Sequence, residues 1–434
     1  MALRPDQAQA HSSLIFLRDL DPESTLAEQQ EERRRWAARH AAPLAAEIRP
    51  HANDRDPERP LTIGYVSADF RRHSASCIFR HVLLNHDRAR FRVHCYSNVP
   101  VADDVTTEFR EAAHVWRSIV DLSDGVVAEM VRQDGVDVLV DLSGHTTGQR
   151  LLLFARKPAP VQVTAWGQVN GTGLSTIDAI FADPVYIPAA DRPLFAETVV
   201  DLPCYLHFGP PDSTPAVAPS PAAGEGVGEV TFGCLNRISK VTEPVIAIWA
   251  EILRAVPGSR MVLKDAHLQG EDQRRRIAEA FAAHGVAAER LTLLGASSHA
   301  EHLAAHARVD IALDPFPQNG GISTLEAIWM GVPVVTLAGS TPSGRNGAAL
   351  NAALGLHRFV AATPEAYRDI AVAMAADRAG LADLRSSLRQ RLATSPLCDH
   401  QRYTRAVEDA YRGLWRLWCQ GSCQGRSEGV SKSR

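Results

Sequence analysis

The feature that most constrains this chain is an alternation of short apolar strands with amphipathic helices, in two blocks on either side of a low-complexity stretch. In the first block LTIGYVSADF, Phe91–Ser97, Val136–Leu142 and Val161–Trp166 read as strands, with helical spacing at Ser76–Leu84 and Gly125–Gln133. The second block reads as strands at Val230–Cys234, Arg260–Lys264, Arg290–Leu294, Asp310–Leu313 and Val332–Leu337. Helices separate them at Glu243–Val256, Glu271–Gly285, His299–Ala307 and Ser323–Met330. Strands that are apolar throughout need cover on both faces, so the pattern predicts two α/β domains built on parallel sheets. Ligands of such sheets bind beyond the carboxyl ends of the strands.

The expected boundaries follow from composition. Residues 1–50 are rich in Ala, Glu and Arg and read as a helical segment outside the enzyme core, with the DxD triplet Asp19-Leu20-Asp21 on solvated surface. The first domain spans 61–209, a linker 210–229, and the second domain 230–400. A helix at 401–418, apolar on one face, is expected to lie across both halves, followed by a disordered tail at 419–434. The linker contains GxGxG, but no strand leads into it, so it is not a nucleotide loop.

With 434 residues, 45% of them hydrophobic, the chain has material for two or three real cores. A formal charge of −4 gives no reason to expect nucleic acid or an anionic membrane as partner, and no apolar run is long enough to span a bilayer. Seven scattered cysteines without zinc spacing, and no apolar signal core near Met1, point to a reduced, cytoplasmic protein.

The segment LDPFPQNGGISTLEAIWMGVPVVTLAG, Leu313–Gly339, carries the chemistry most openly. A strand runs into Asn319-Gly320-Gly321, whose glycines suit a tight turn, and then into a helix opening on Ile322-Ser323-Thr324. Ser323 or Thr324 is positioned to cap that helix, whose N-terminus is an anion site suited to a diphosphate. Glu326 follows, either as a carboxylate for ribose hydroxyls or as an ordinary first-turn acid.

Five stretches together resemble the catalytic region of the O-GlcNAc transferase and SPINDLY family of glycosyltransferases. They are IGYVSADFRRHSAS, VDVLVDLSGHTTGQR, KPAPVQVTAWGQVNGTG, FGCLNRISKVTEPVIAIWAEILRAVPGSRMVLK and Leu313–Gly339, in that order. The resemblance runs from about Ala10 to Trp418 but lacks the tetratricopeptide repeats that normally precede such a region; residues 1–50 look like the end of one. It implies an α/β fold of the GT-B type, two Rossmann-like domains facing a cleft, with an N-terminal helical segment. It also implies metal-independent, inverting transfer of GlcNAc from UDP-GlcNAc to Ser or Thr hydroxyls of proteins, with no cofactor. The same family includes fucose transfer from GDP-fucose and glucose transfer. A nucleotide-sugar epimerase and a silent nucleotide-sugar-binding scaffold are the readings from other classes.

By the same resemblance Lys240, in NRISK with Asn236 and Arg237, contacts the diphosphate, and Gly320, Gly321, Ile322, Ser323 and Thr324 line it. The family places hydroxyl residues at the first two of the last three positions, and this chain has Ile322 at one. Glu326 matches an acid on the ribose, His302 a histidine stacked on the base, and His299 a basic residue near the nucleotide. His73 matches the histidine taken as catalytic base, with proton relay through water as the competing view, and Asp134 an aspartate of the proton path. His145 ends a strand on a glycine loop and is expected to face the donor. Gln162, Trp166 and Gly171-Thr172-Gly173 are acceptor-side candidates, with Trp166 equally at home in the core.

Overall fold

The structure, a computed structural model, describes residues 7–211, 213–223 and 229–421. The chain forms two units; among the described residues, 7–209 and 400–421 make the first and 210–399 the second.

The first unit opens with α1 (Ala8–Leu20) and α2 (Leu26–Trp36). It continues as β1 (Leu61–Ser67), α3 (Ser76–Leu84), β2 (Phe91–Ser97), α4 (Asp104–Ala112), β3 (Val115–Ser118) and α5 (Asp124–Gln133). Then come β4 (Val138–Asp141), α6 (Leu151–Phe154), β5 (Val161–Thr164), β6 (Ala179–Ala182) and β7 (Thr198–Asp201). The seven strands pair in parallel in the order β3-β2-β1-β4-β5-β6-β7. The order turns back between β1 and β4, so the loops after these two strands flank the topological switch point.

In the second unit β8 (Thr231–Cys234), α7 (Glu243–Ala255), β9 (Arg260–Lys264), α8 (Glu271–Ala283), β10 (Leu291–Leu294) and α9 (His299–Ala305) come first. They lead to β11 (Ile311–Leu313), α10 (Ile322–Trp329), β12 (Val334–Leu337), α11 (Asn346–Ala353), β13 (Val360–Ala361), α12 (Pro364–Ala376) and α13 (Arg378–Ala393). The sheet is again parallel, in the order β10-β9-β8-β11-β12-β13, and its switch point lies between β8 and β11. Gly233 is required there by close packing, since a Cβ would stand 2.5 Å from Val309. The chain then returns to the first unit as α14 (His400–Cys419).

Three expectations change. The N-terminal helices are part of the first core: Ile15 and Trp36 are fully buried in one cluster with Val66, Val127 and Leu151. Asp19 is buried and not solvated; it pairs at 2.6 Å with Arg33, which is itself fully buried. The low-complexity stretch is strapped down where it is described. Arg385 donates to Ala218 O at 2.5 Å and Arg389 to Pro215 O at 2.8 Å, and the Asp310 carboxylate takes Ser220 Oγ and the N–H groups of Ala222 and Thr231. The GxGxG run and most of the expected tail (residues 422–434, with Cys423) lie outside the described residues, but Cys419 ends a helix. Among the described residues no helix is long and apolar enough to cross a membrane.

Candidate functional site

The switch point of the second sheet gathers most of the expected site. Past β8 the chain turns through Asn236 and Arg237 into a single turn, Ile238–Lys240, and past β11 the first residue is Asp314. Lys240 Nζ donates to the carbonyl of Asn319 at 2.8 Å, while the N–H of Gly320 donates to Asp314 Oδ1 at 2.7 Å. That carbonyl and that N–H belong to one peptide unit, so a cation and a carboxylate grip its two ends. Asp314 also accepts Thr336 Oγ1 at 3.0 Å and the Thr324 hydroxyl. Burial lowers Lys240 to about 8 against the pull of the nearby Asp314, and burial raises Asp314 to about 7 against its hydrogen bonds and Lys240. A small pocket opens here, lined by Gly233, Asn236, Asp314, Ser323 and Thr324 among others.

The helix α10 starts at Ile322 with Gly321 as its N-cap and no side-chain cap. The hydroxyls of Ser323 and Thr324 therefore do not cap it. Thr324 and Leu325 return their N–H groups to Gly321 O, which leaves those of Ile322 and Ser323 without an intrahelical acceptor. The two glycines are not in the left-handed region either. Gly320 is needed for space: a Cβ would stand 2.5 Å from Thr324 Oγ1, 2.7 Å from Ser323 Oγ and 2.8 Å from Asn236 Nδ2. Three polar atoms, two from the first turn of α10 and one from the loop after β8, converge where that methyl would be. Gly320→Ala is therefore expected to weaken nucleoside diphosphate binding by at least tenfold, roughly the loss of one charge-assisted hydrogen bond, with the far-ultraviolet dichroism unchanged. Unchanged affinity by calorimetry would refute this.

A third expected group is also brought together. Glu326 Oε1 accepts from His299 Nε2 at 2.7 Å, and Oε2 lies 3.5 Å from His302 Nε2. Burial would raise this carboxyl, but the bonds and charges of the two histidines outweigh it and hold the acid at about 2. The nucleotide-side candidates Glu326, His299 and His302 are thus one preorganised cluster on α9 and α10, centred on an ionised carboxylate.

In the first unit the loop after β1 carries His73, whose backbone is pinned by Ser76: Ser76 Oγ donates to His73 O at 2.7 Å. His73 Nδ1 takes the N–H of Ala75 at 3.2 Å and lies 3.5 Å from Asp69 Oδ1. The first contact places the ring proton on Nε2; a base acting through Nε2 needs the other tautomer, with Nδ1–H turned to Asp69.

The remaining first-unit candidates have structural partners. Asp134 closes α5 ahead of β4, at the amino edge of the sheet and opposite the loop of His73. It takes Arg117 Nη2 at 2.6 Å and Tyr96 OH at 2.8 Å, and these hold its carboxyl below the usual range although burial opposes them. Tyr96 lies where a Gly64 Cβ would come within 3.0 Å of its ring. His145 is buried with both ring nitrogens engaged, by Ser12 Oγ at 3.1 Å and Thr172 O at 2.9 Å, and burial lowers it to about 3. It ties the N-terminal helices to the loop after β5, with both ring nitrogens taken up in doing so. That loop is itself fastened to the N-terminal helices and to Glu197. Arg33 Nε donates to Gly171 O at 2.9 Å, Gly173 abuts the Arg33 backbone, and Thr172 N donates to Glu197 at 2.6 Å. Gln162 is bonded to Phe154 O and Thr176 O, and Trp166 is core, its indole N–H on Tyr403.

Asp314 is the residue that sequence reasoning passed over. Its signal was an acid directly after an apolar strand, VDIALDPF, where burial and function coincide.

Two Rossmann-like units with parallel sheets, one carrying an anion-ready helix start at its switch point, define the GT-B type of glycosyltransferase fold. The chain belongs to glycosyl transferase family 41, whose profile matches residues 29–210 and 226–407. It is 39% identical over 376 residues to the probable UDP-N-acetylglucosamine–peptide N-acetylglucosaminyltransferase SPINDLY of Petunia hybrida, covering 85% of this chain and 40% of that one. It is 30% identical to the probable transferase of the same description, SEC, of Arabidopsis thaliana, over 83% of this chain and 38% of that one. This chain thus spans about two fifths of the length of these curated relatives. A solved Thermobaculum terrenum O-GlcNAc transferase variant superposes with a TM-score of 0.91 at 38% identity, over 97% of this chain and 80% of that one. Anabaena HepE, solved with UDP and glucose, shares the fold at TM-score 0.53 and 14% identity, over 81% of this chain and all of that one.

Proposed function

We propose that this chain is the catalytic region of a protein O-glycosyltransferase that moves GlcNAc from UDP-GlcNAc to Ser or Thr hydroxyls, with inversion and without a metal. The observation that carries the reading is the placement of Lys240 beside the Asn319–Gly320 peptide, directly before the N–H groups that open α10 without an intrahelical acceptor. A leaving diphosphate needs a cation and fixed donors at one point, and these supply both. The carboxylate of Glu326, held between His299 and His302, is the expected acceptor for ribose hydroxyls. In the transfer the acceptor oxygen bonds to the anomeric carbon as the bond to the phosphate oxygen breaks, UDP leaving with the electron pair. His73, 40% exposed beyond β1, takes the acceptor proton on Nε2. UDP-GlcNAc is favoured over GDP-fucose as donor by what relatives such as the Petunia and Arabidopsis proteins are described as using. A cytoplasmic location is part of the proposal, and the six described cysteines form no disulfide.

Calorimetric titration with UDP, GDP, UDP-GlcNAc and GDP-fucose in chelator tests the reading. UDP and UDP-GlcNAc are expected to bind, and His73→Ala to keep that binding while losing transfer to protein acceptors. Preference for GDP ligands would move the donor to GDP-fucose; absence of all binding would overturn the transferase reading.

A further inference from the structure

The buried carboxylate of Asp314 takes no direct part in that transfer, yet it sits beneath the centre of the site. It is 3% exposed, and everything it accepts comes from the site's own scaffold: the N–H of Gly320, the hydroxyl of Thr324 and that of Thr336 on β12. Gly347 on α11 leaves it room, since a Cβ there would stand 2.5 Å from Asp314 Oδ2. The peptide whose N–H it holds is the one whose carbonyl holds Lys240.

We propose that Asp314 is a positioning residue for Lys240, an anion that orients the Asn319–Gly320 peptide and, through its carbonyl, sets the ammonium where a diphosphate arrives. The peptide links the two charges in series, with Asp314 polarising the N–H and the carbonyl in turn holding Nζ. Without ligand, Asp314 is the counter-charge of a lysine that burial would otherwise neutralise. The other ionisable neighbours of Lys240 are Arg237, which works against its charge, and the buried Cys234 thiol. Asp314 is therefore the anion that keeps Nζ charged until the diphosphate supplies negative charge of its own. This role rests on the proposal that Lys240 meets a diphosphate, but its electrostatic half can be measured without ligand.

The chain has only four lysines, Lys157, Lys240, Lys264 and Lys432, so 13C-lysine labelling gives four ε-carbon resonances, and Lys240→Arg identifies the one of interest. In the wild type this resonance should titrate near pH 8. In Asp314→Asn, which keeps the shape and removes the charge, the midpoint should fall by roughly one unit or more, the size of effect an adjacent opposite charge exerts. Thr336→Val, a milder change that withdraws one donor from the carboxylate, should shift it the same way by less and serves if Asp314→Asn does not fold. An unchanged midpoint in the folded variants would overturn the proposal. UDP titrations at pH 6.5 and 8.5 supply the second readout. Asp314→Asn should lose affinity at pH 8.5 and recover at pH 6.5, whereas an equal loss at both would make the residue merely structural and overturn the proposal. Wild type that fails to bind UDP would refute the diphosphate reading alone, because the ligand-free midpoints still decide the role of Asp314.

Discussion

Lys240→Ala is expected to weaken UDP binding by about 10- to 150-fold, the equivalent of roughly 1.5–3 kcal/mol for a charge-assisted hydrogen bond. Transfer should fall further, by on the order of 10²–10³, because the diphosphate gains charge as it leaves and a preorganised cation counts most at that moment. The fold should survive: Nζ donates to one carbonyl, at 2.8 Å, and the loop keeps its second anchor through Gly320 and Asp314. Calorimetry with UDP and a radiolabelled transfer assay check the two magnitudes separately. Wild-type transfer in this variant would remove Lys240 from the chemistry. Loss of binding without any further loss of turnover at saturating donor would reduce it to a ground-state contact.

The second large effect concerns stability. Arg33 is fully buried, and its guanidinium reaches Asp19 Oδ2 at 2.6 Å, Gly171 O at 2.9 Å and Gln29 O at 3.0 Å. Asp19 Oδ2 also takes Gln168 Nε2 at 2.7 Å and Asn170 Nδ2 at 3.1 Å. Arg33→Ala removes the cation of this set and strands a buried carboxylate, which costs about 3–5 kcal/mol. The first unit should lose that much in urea denaturation, with the second unit's transition unmoved. Adding Asp19→Leu should restore a large part, because the unpaired charge is then gone. A single-variant loss below about 1 kcal/mol would mean water reaches the carboxylate and the pair behaves like a surface one.

Much of the architecture was legible in the amino-acid order, and the reasons are specific. Phe91–Ser97, Ser76–Leu84 and Arg260–Lys264 have the observed bounds because each is a run of one periodicity ended by polar residues or a turn. The strands Ala179–Ala182 and Thr198–Asp201 escaped the sequence reading. In the site, Lys240, Asn236 and Gly320 could be grouped from the sequence because loops past β8 and β11 must meet at a switch point. Asp134 and His145 have structural partners that the motifs did not reveal, for a physical reason. A motif shows which loop a residue occupies, but the edge of the sheet it faces and the partners waiting there come from other elements, Arg117 on β3 for one and Ser12 on the distant α1 for the other. The buried place of Asp19 was hidden in the same way, since its neighbours Gln168 and Asn170 lie about 150 positions further on.

The return of α14 to the first unit sets an order of events during synthesis. Residues 210–399 form one uninterrupted stretch, so that unit can close as soon as it clears the ribosome. The first unit must wait for α14. Until then Trp166 lacks Tyr403, and His86 lacks Glu408, its partner at 2.9 Å. Of the two units, the one made earlier is thus the last to be finished, and for the time it takes to translate some two hundred residues it exposes apolar and polar surface meant for α14. A nascent chain stopped at residue 399 should therefore carry a protease-resistant second unit and a first unit that chaperones still hold.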